Sequence, residues 1–496
     1  MKTQVLLPTD EAVAYAAQVL REGGLVGMPT ETVYGLAANA LDEEAVRGIF
    51  AAKGRPADNP LIVHVNSIEE AEKLCVISDA SRELMAHFCP GPLTVIMPRR
   101  SCVPDVVTAG LDTVAIRIPS HPVARRLIAQ SGLPIAAPSA NTSGKPSPTT
   151  AQHVYHDLDG KLPVILDGGE CDVGLESTVI TMAGDMPTVL RPGGITPEML
   201  LTVLPEVRVA DSVLRPLKQG EKALSPGMMY KHYAPGGLLT MVKGEQANVQ
   251  RCCLRLYDEA KADGKSVRIL AFEEHLDAYK SAEVLSIGRL SEPETVSHRL
   301  FAILRQMDDE GVDVLYSEIL PAEGLGLAIM NRLSRAAGFR TSDADVTDPF
   351  LDVSGLTDGE IPLSLDRAAP GMPEKNWLPA YHFAICGTQG VRMGKCDLRI
   401  GHNDMVYFGG NIGYQVFEEY RGHHYAAKAC RLLFQLAKKH GMDYVIITCA
   451  PDNLPSRKTL EGLGGKLLEI AELPADSDMR ERGMTEVCIF RFDLPQ

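Results

Sequence analysis

Along the first 210 residues the apolar positions switch between two periods. Short apolar runs at 25–30, 59–65, 91–98, 113–119 and 162–169 read as buried strands, whereas 42–54 carries helical spacing with acids in its first turn. Ser67, with Glu70 three positions on, has the spacing of a capping box, and His121-Pro122 opens another helix with proline at a tolerated position. Strands and helices alternate irregularly, so the pattern predicts an α/β domain on a mixed twisted sheet, not a regular doubly wound one. Residues 211–240 lose all period: Pro, Gly and Lys are scattered, and Tyr230, Lys231, His232 and Tyr233 cluster. This reads as a linker. Regular patterning returns over 241–342, with strands expected at 266–272 and 312–319 and a helix over 292–310, a smaller α/β domain. A second break at 343–375 is read as a connecting segment. Residues 376–496 then alternate strands at 380–387 and 395–401 with a strand, loop and long helix over 411–441. A strand, a turn and a second helix follow over 443–469.

Length and composition agree with several soluble domains. The 496 residues fit about one domain per 100–200 residues. No apolar run reaches the roughly 18 residues of a membrane helix, and the start lacks a signal-peptide layout, so a cytoplasmic protein without membrane attachment is expected. Eleven cysteines with no C-x-x-C pair argue against a disulfide framework or a structural zinc site. The formal charge of −15 narrows the partners. Residues 1–210 hold 16 Lys and Arg against 24 Asp and Glu, with no basic run beyond two adjacent arginines. Stable nucleic-acid binding needs clustered cations, so none is expected. Gly264-Lys265-Ser266 is not a P-loop: Glu259 stands where the first glycine belongs, and the tripeptide precedes a strand.

Three polar segments carry candidate chemistry. Thr30, Glu31 and Thr32 follow a strand end, which suits a polar ligand or a capped turn. Lys53 and Arg55 at a helix C-terminus either complement its dipole or clamp a polyphosphate. His64 lies inside an apolar strand, where a satisfied core histidine is the bland reading. Residues 136–147 are crowded with short hydroxyl and amide side chains, the composition of a phosphate- or ribose-wrapping loop or of a surface loop. Glu176-Ser177-Thr178 and Arg191-Pro192-Gly193-Gly194 flank later strands.

Taken in order, PTETVYGL (29–36), KGRPADNPLIVH (53–64), RIP (117–119), APSANTSGKPS (137–147), GLESTVI (174–180), LRPGGIT (190–196) and SPGMMYKHYAP (225–235) resemble the YrdC-like family. The likeness is to its longer members, the two-domain L-threonylcarbamoyladenylate synthases, and covers about residues 5–342. The resemblance implies a YrdC-like catalytic domain (1–210), a lid-forming linker (211–240) and a small Rossmann-like domain (241–342). It implies formation of threonylcarbamoyl-AMP and pyrophosphate from L-threonine, bicarbonate or CO₂, and ATP with Mg²⁺. A separate threonylcarbamoyl-transferase complex would then modify a tRNA adenosine. It further implies that Thr32, His64, Arg117, Ala137 and Ser177 face threonine. Arg55, Asn59, Thr113, Ser139, Ser147 and Arg191 would face the nucleotide, Lys53 the phosphates, and His232 and Tyr233 would be lid contacts to ATP. No covalent catalytic residue is expected, because adenylation needs positioning and charge neutralisation, for which Lys53 and Arg55 are the foremost candidates.

The tail, 376–496, resembles the GNAT acyltransferases through a Y-R-G-x-x-Y-A loop and a later N-x-x-S helix. That likeness implies acetyl-CoA contacts at Val416, Arg421, Gly422, Tyr425, Ala426, Asn453 and Ser456. The tail departs from the pattern in three ways. His424 occupies a glycine position, Leu460 stands where a tyrosine is common, and the region before 380 is short for two helices. Glu418 and Glu419 serve equally as bases or as dipole partners. The alternative left open is an RNA-binding YrdC-like module with a degenerate, noncatalytic tail.

Overall fold

The computed structural model describes residues 2–215, 233–344 and 350–494, apart from 352, 373–375, 388, 475–476 and 482. The chain divides into two compact units, Met1–Asp345 and Val346–Gln496.

The first unit begins with an 11-stranded sheet. Its strands are β1 (Gln4–Leu6), β2 (Val26–Met28), β3 (Gly35–Asn39), β4 (Ile62–His64), β5 (Leu93–Pro98), β6 (Thr113–Arg117), β7 (Ile135–Ala136), β8 (Val164–Leu166), β9 (Thr178–Thr181), β10 (Thr188–Arg191) and β11 (Arg208–Val209). They lie in the order β1-β8-β2-β3-β7-β4-β6-β5-β9-β10-β11. Parallel pairs such as β4/β6 and β5/β9 alternate with antiparallel ones such as β5/β6 and β9/β10, so the sheet is mixed, as the irregular patterning predicts. Local chemistry sets the element ends. Asp42 accepts hydrogen bonds from the amides of Glu44 (3.0 Å) and Ala45 (3.2 Å) to start the helix Glu43–Lys53. Gly54, at φ +63°, ends it in the left-handed conformation that glycine adopts without strain. Ser67 caps its helix through the Glu70 amide (3.2 Å), while the Glu70 carboxylate reaches back one residue further than a capping box, to the Asn66 amide (2.8 Å).

The unit continues into a second, five-stranded sheet of β12 (Leu238–Lys243), β13 (Val267–Ala271), β14 (Val284–Ser286), β15 (Val314–Ser317) and β16 (Thr341–Asp343). Their order is β14-β13-β15-β12-β16, and every pairing is parallel. The helices Gln246–Ala262, Pro293–Asp309 and Leu325–Ala336 make the crossovers, giving the Rossmann-like arrangement expected of this region. Leu325–Ala336 is buried from Gly326 to its end, including Asn331, Arg332 and Arg335, so its polar residues face protein instead of water.

In the second unit β17 (Leu363–Ala369), β18 (Ala380–Cys386), β19 (Arg392–Arg399) and β20 (Ile412–Val416) form an antiparallel sheet. β21 (Tyr444–Cys449), β22 (Lys466–Glu472) and β23 (Glu486–Asp493) form a second, in the order β21-β23-β22. Two local readings change. The stretch taken as a connector contains β17, the edge of the tail's first sheet, because Leu363 and Leu365 alternate with polar residues and pair with β18. The second helix ends at Gly462, and Gly464-Gly465 releases the chain into β22, so residues 466–469 are strand and not helix.

Candidate functional site

In the first unit a cavity of about 580 Å³ opens where strand ends meet loops. His64 closes β4 and Arg117 closes β6, and the two are register partners across a parallel pair. Thr94 on β5 sits opposite Arg117, and its hydroxyl lies 2.7 Å from that of Ser177, which precedes β9. Arg191 at the end of β10 donates to the Ser177 carbonyl (3.0 and 3.1 Å) and hydroxyl (3.2 Å). Gly193 makes this approach possible, since a Cβ there would stand 2.3 Å from the Thr178 nitrogen. The opposite wall is the loop 137–147. Its first turn is tied to the 34–36 strand by Leu36 N–H to Pro138 O and Ala140 N–H to Tyr34 O, both 2.8 Å.

The electrostatics divide the cavity. Arg117 is 4% exposed and lies 2.8 Å from Glu31, but its Nε and Nη2 groups have no aligned hydrogen bond among the described residues. Burial pushes the Glu31 carboxyl up, but the Arg117 charge together with hydrogen bonding from Arg117 and from the Glu31 and Ser120 backbone outweighs it, leaving it below the usual carboxylate range. Burial, reinforced by Arg117, drives His64 down to about 3, so its imidazole is neutral, and its Nδ1 has no partner among the described residues. A buried, forked guanidinium with N–H groups not aligned on a hydrogen-bond acceptor, beside a neutral imidazole, has the chemistry to take a carboxylate. Across the cavity, Glu176 would be raised by burial, yet Arg332, Arg191 and a 2.5 Å hydrogen bond from Ser147 hold it at about 2. Burial pulls Arg191 to about 10, still cationic at neutral pH.

Of the residues singled out from the sequence, Arg55, His64, Arg117, Ala137, Ser139, Ser147, Ser177, Arg191 and Tyr233 line this cavity together. Thr32 lies just behind it, fully buried, with its hydroxyl 2.9 Å from that of Thr30. Asn59 is also buried behind Arg55, and neither of its amide atoms has a partner among the described residues. Thr113 starts β6 and so lies about 13 Å along the strand from Arg117. Lys53, expected to face the phosphates, is not among the residues lining the cavity. Its ammonium does not face the cavity: it donates to the Ser139 and Asn141 carbonyls and, at 3.4 Å, to the Asn141 side chain. Three acceptors match its three N–H groups, although burial and then the Arg55 charge pull its pKa well below the ordinary lysine value. Lys53 therefore staples the loop 139–141. His232 lies outside the described residues. Asn141, Lys145 and Glu176 line the cavity without having been assigned to it. Glu176 had a signal, a lone carboxylate beside Ser177, but its partners come from distant positions.

In the tail, β20 and β21 touch at one end only. The Asn411 amide donates to Ile446 O (2.6 Å), and its side chain accepts from Ile446 N–H (2.8 Å). Beyond that point no ladder joins the strands, and a cleft of about 1190 Å³ lies along β20. Val416, Arg421, Gly422, Tyr425, Ala426, Asn453 and Ser456 all line it. Gly422 takes φ +85°, and His424 keeps the left-handed conformation at φ +61°, so the loop retains a glycine-like path into the helix Tyr425–Lys439. Asn453 caps the following helix by accepting from Ser456 N–H (3.2 Å), and the Ser456 hydroxyl meets that of Tyr414 at 2.8 Å. Leu460 is a fully buried core residue. Glu418 and Glu419 sit in a short 3₁₀ turn before Arg421 and are not among the residues lining the cleft.

Comparison with known proteins agrees with this division. Residues 18–193 match the Sua5–YciO–YrdC model, described as telomere recombination, and 195–338 match the threonylcarbamoyl-AMP synthase C-terminal domain. Residues 335–466 match the acetyltransferase (GNAT) domain. The chain is 48% identical over 343 residues to the threonylcarbamoyl-AMP synthase of Bacillus subtilis, covering 68% of this chain and 96% of that protein. It is 48% identical over 329 residues to that of Pyrococcus abyssi, covering 66% and 94%. The crystal structure of P. abyssi Sua5 complexed with L-threonine superposes with a TM-score of 0.65 at 46% identity, over 69% of this chain and 98% of the other. Through its first two-thirds, the chain belongs to the threonylcarbamoyl-AMP synthase family, and it carries a GNAT-family domain behind that part.

Proposed function

We propose that residues 1–345 make threonylcarbamoyl-AMP and pyrophosphate from L-threonine, bicarbonate or CO₂, and ATP. The observation that supports this reading best is the buried Arg117–His64 pair, a carboxylate receptor beside a cavity whose other wall is cationic and hydroxyl-rich. Threonine's carboxylate would take the unused N–H groups of Arg117, with Thr32, Ala137 and Ser177 around its side chain. The threonine ammonium gives one proton to water to free its lone pair, the nitrogen forms an N–C bond to CO₂ as one C=O π bond opens onto oxygen, and a second proton leaves the nitrogen to water to give the carbamate. A carbamate oxygen then attacks the α-phosphorus, and pyrophosphate leaves. Arg55 and Arg191 neutralise the charge that develops on the phosphates, while Ser139 and Ser147 position the nucleotide. Tyr233, with His232, would close over ATP.

Among the described residues, no group of three or more acidic, histidine or cysteine side chains is placed to hold a metal. The cavity's own carboxylate, Glu176, is engaged by Arg332 and Ser147. Magnesium would arrive on the ATP phosphates and water. The product would pass to a separate transferase complex acting on tRNA adenosine. No helix of the described residues is long and apolar enough to cross a membrane. For the tail we propose acetyl-CoA-dependent acyl transfer, supported by the splayed strands and the glycine-shaped turn at a 15-residue helix N-terminus.

Threonine- and bicarbonate-dependent pyrophosphate release from ATP tests the first reading, run beside a salt-titrated RNA shift assay. Release is expected without an RNA shift. Tight RNA binding without release would favour the noncatalytic alternative instead.

A further inference from the structure

The cavity's nucleotide side is not built by the first sheet alone. Arg332 enters from the helix Leu325–Ala336 with no exposed surface. It donates to the Glu176 carboxylate (2.9 Å), the Glu176 carbonyl (3.1 Å) and the Pro192 carbonyl (2.6 Å). Arg305, on the helix Pro293–Asp309, forks onto both Asp157 oxygens (3.1 and 2.9 Å) and donates to the Pro146 carbonyl (2.6 Å). The two contacts converge. Pro146 precedes Ser147, Ser147 donates to Glu176, and Pro192 follows Arg191. The same helix meets the turn at Gly174, where a Cβ would stand 2.5 Å from the Ser297 carbonyl oxygen, so the two bodies are in backbone contact there.

These arginines reach none of the cavity's open volume, so their effect on a ligand must pass through other residues. Glu176 alone would be a buried carboxylate pulling Arg191 away from a phosphate. Paired with Arg332, it instead fixes the Ser147 hydroxyl and the backbone on either side of Arg191. The threonine carboxylate site, Arg117 with His64, draws on strand ends of the first sheet and shares no hydrogen bond with either arginine; of the threonine-side residues the network meets only Ser177, through Arg191.

We propose that the small α/β domain completes the ATP half of the site through Arg332 and Arg305, positioning residues that hold Ser147 and Arg191 by way of Glu176 and the turn at Pro146. The proposal rests on the synthase reading given above and names its coupling to the second sheet. It makes the small domain a selective determinant of ATP affinity and not a general scaffold.

The test is steady-state kinetics on the full chain carrying Arg305→Gln, Arg332→Lys, or the charge-neutral pair Arg332→Met with Glu176→Gln. That pair guards against a variant that fails to fold with an unpaired buried charge. The expected result is a KM for ATP raised about tenfold or more, the loss of one charge-assisted contact. The KM for threonine and its calorimetric affinity should stay within about twofold. Arg332→Lys should recover part of the ATP affinity, because one ammonium reaches Glu176 but cannot also hold Pro192. Folded variants with an unchanged KM for ATP would overturn the proposal, as would parallel losses for ATP and threonine, the mark of a merely structural role. A wild-type chain that forms no threonylcarbamoyl-AMP would overturn the functional reading and the proposal with it. An active wild type with indifferent variants overturns the proposal alone.

Discussion

The two cavities of this chain are built in opposite ways. In the first unit, charged side chains at or beside strand ends are almost fully buried: Arg117, Glu176 and Arg191 are each under 9% exposed, and each meets a partner distant in sequence. In the tail, the cleft is a gap between two strands that separate, bordered by a turn and a helix terminus, and its polar residues lie largely at the surface. The first arrangement gives a preorganised, low-dielectric receptor whose parts depend on one another. In the second, the loop path is set by backbone conformation, and His424 stands in a glycine position while keeping a left-handed φ of +61°.

The contrast predicts unequal sensitivity to substitution. Arg117→Ala should lower kcat/KM for threonine on the order of 100- to 1,000-fold, because it removes the fork and leaves Glu31 buried without its cation. A loss under tenfold would place the carboxylate receptor elsewhere. Lys53→Met should destabilise the first unit by about 3 kcal/mol, since the Ser139 and Asn141 carbonyls lose their donor, without moving the tail's calorimetric transition. If the variant instead keeps its stability and loses only ATP turnover, the lysine acts on phosphate after all.

The Lys53 case shows what the sequence could and could not convey. The family resemblance, carried by seven ordered segments, implied nine of the residues that line the cavity, whereas their local pattern alone left each open to a bland structural role. Lys53 and Arg55 are two apart and look equivalent. The left-handed turn at Gly54 separates them, turning Lys53 inward under the loop and Arg55 to the cavity. Periodicity reports only local order, so it held no trace of the Arg332–Glu176 pair, 156 positions apart. Short strand-like pieces stood out within 343–375, but the bulge in β17 hid its full extent, and β22, an edge strand exposed on both faces, carried no alternation to read.

Acid titration gives a smaller effect. His64 has a folded pKa of about 3 against an ordinary 6.5, so the unfolded chain binds the proton first. Its contribution is complete above pH 6.5 and is lost as pH falls toward 3, at up to about 1.4 kcal/mol per pH unit. Glu176, held at about 2, adds a loss below about pH 4.5. Melting temperatures of His64→Gln should therefore vary less between pH 6.5 and 5 than those of the wild type. An equal slope would mean that His64 is not the neutral buried group described. The smallest change is expected in the tail. His424→Gly clears a side chain from the cleft's lining at a position that keeps a left-handed backbone, and should tighten acetyl-CoA binding about three- to fivefold by calorimetry. No binding by either protein at millimolar acetyl-CoA would mark the cleft as noncatalytic.

The most direct measurement is the identity of the product. The full chain, incubated with ATP, L-threonine and ¹³C-bicarbonate, is expected to yield an adenylate carrying a threonylcarbamoyl group with the label in its carbamoyl carbon, together with pyrophosphate in equal amount. Mass spectrometry that finds only unlabelled threonyl-AMP, or no threonine-dependent adenylate at all, would contradict the account.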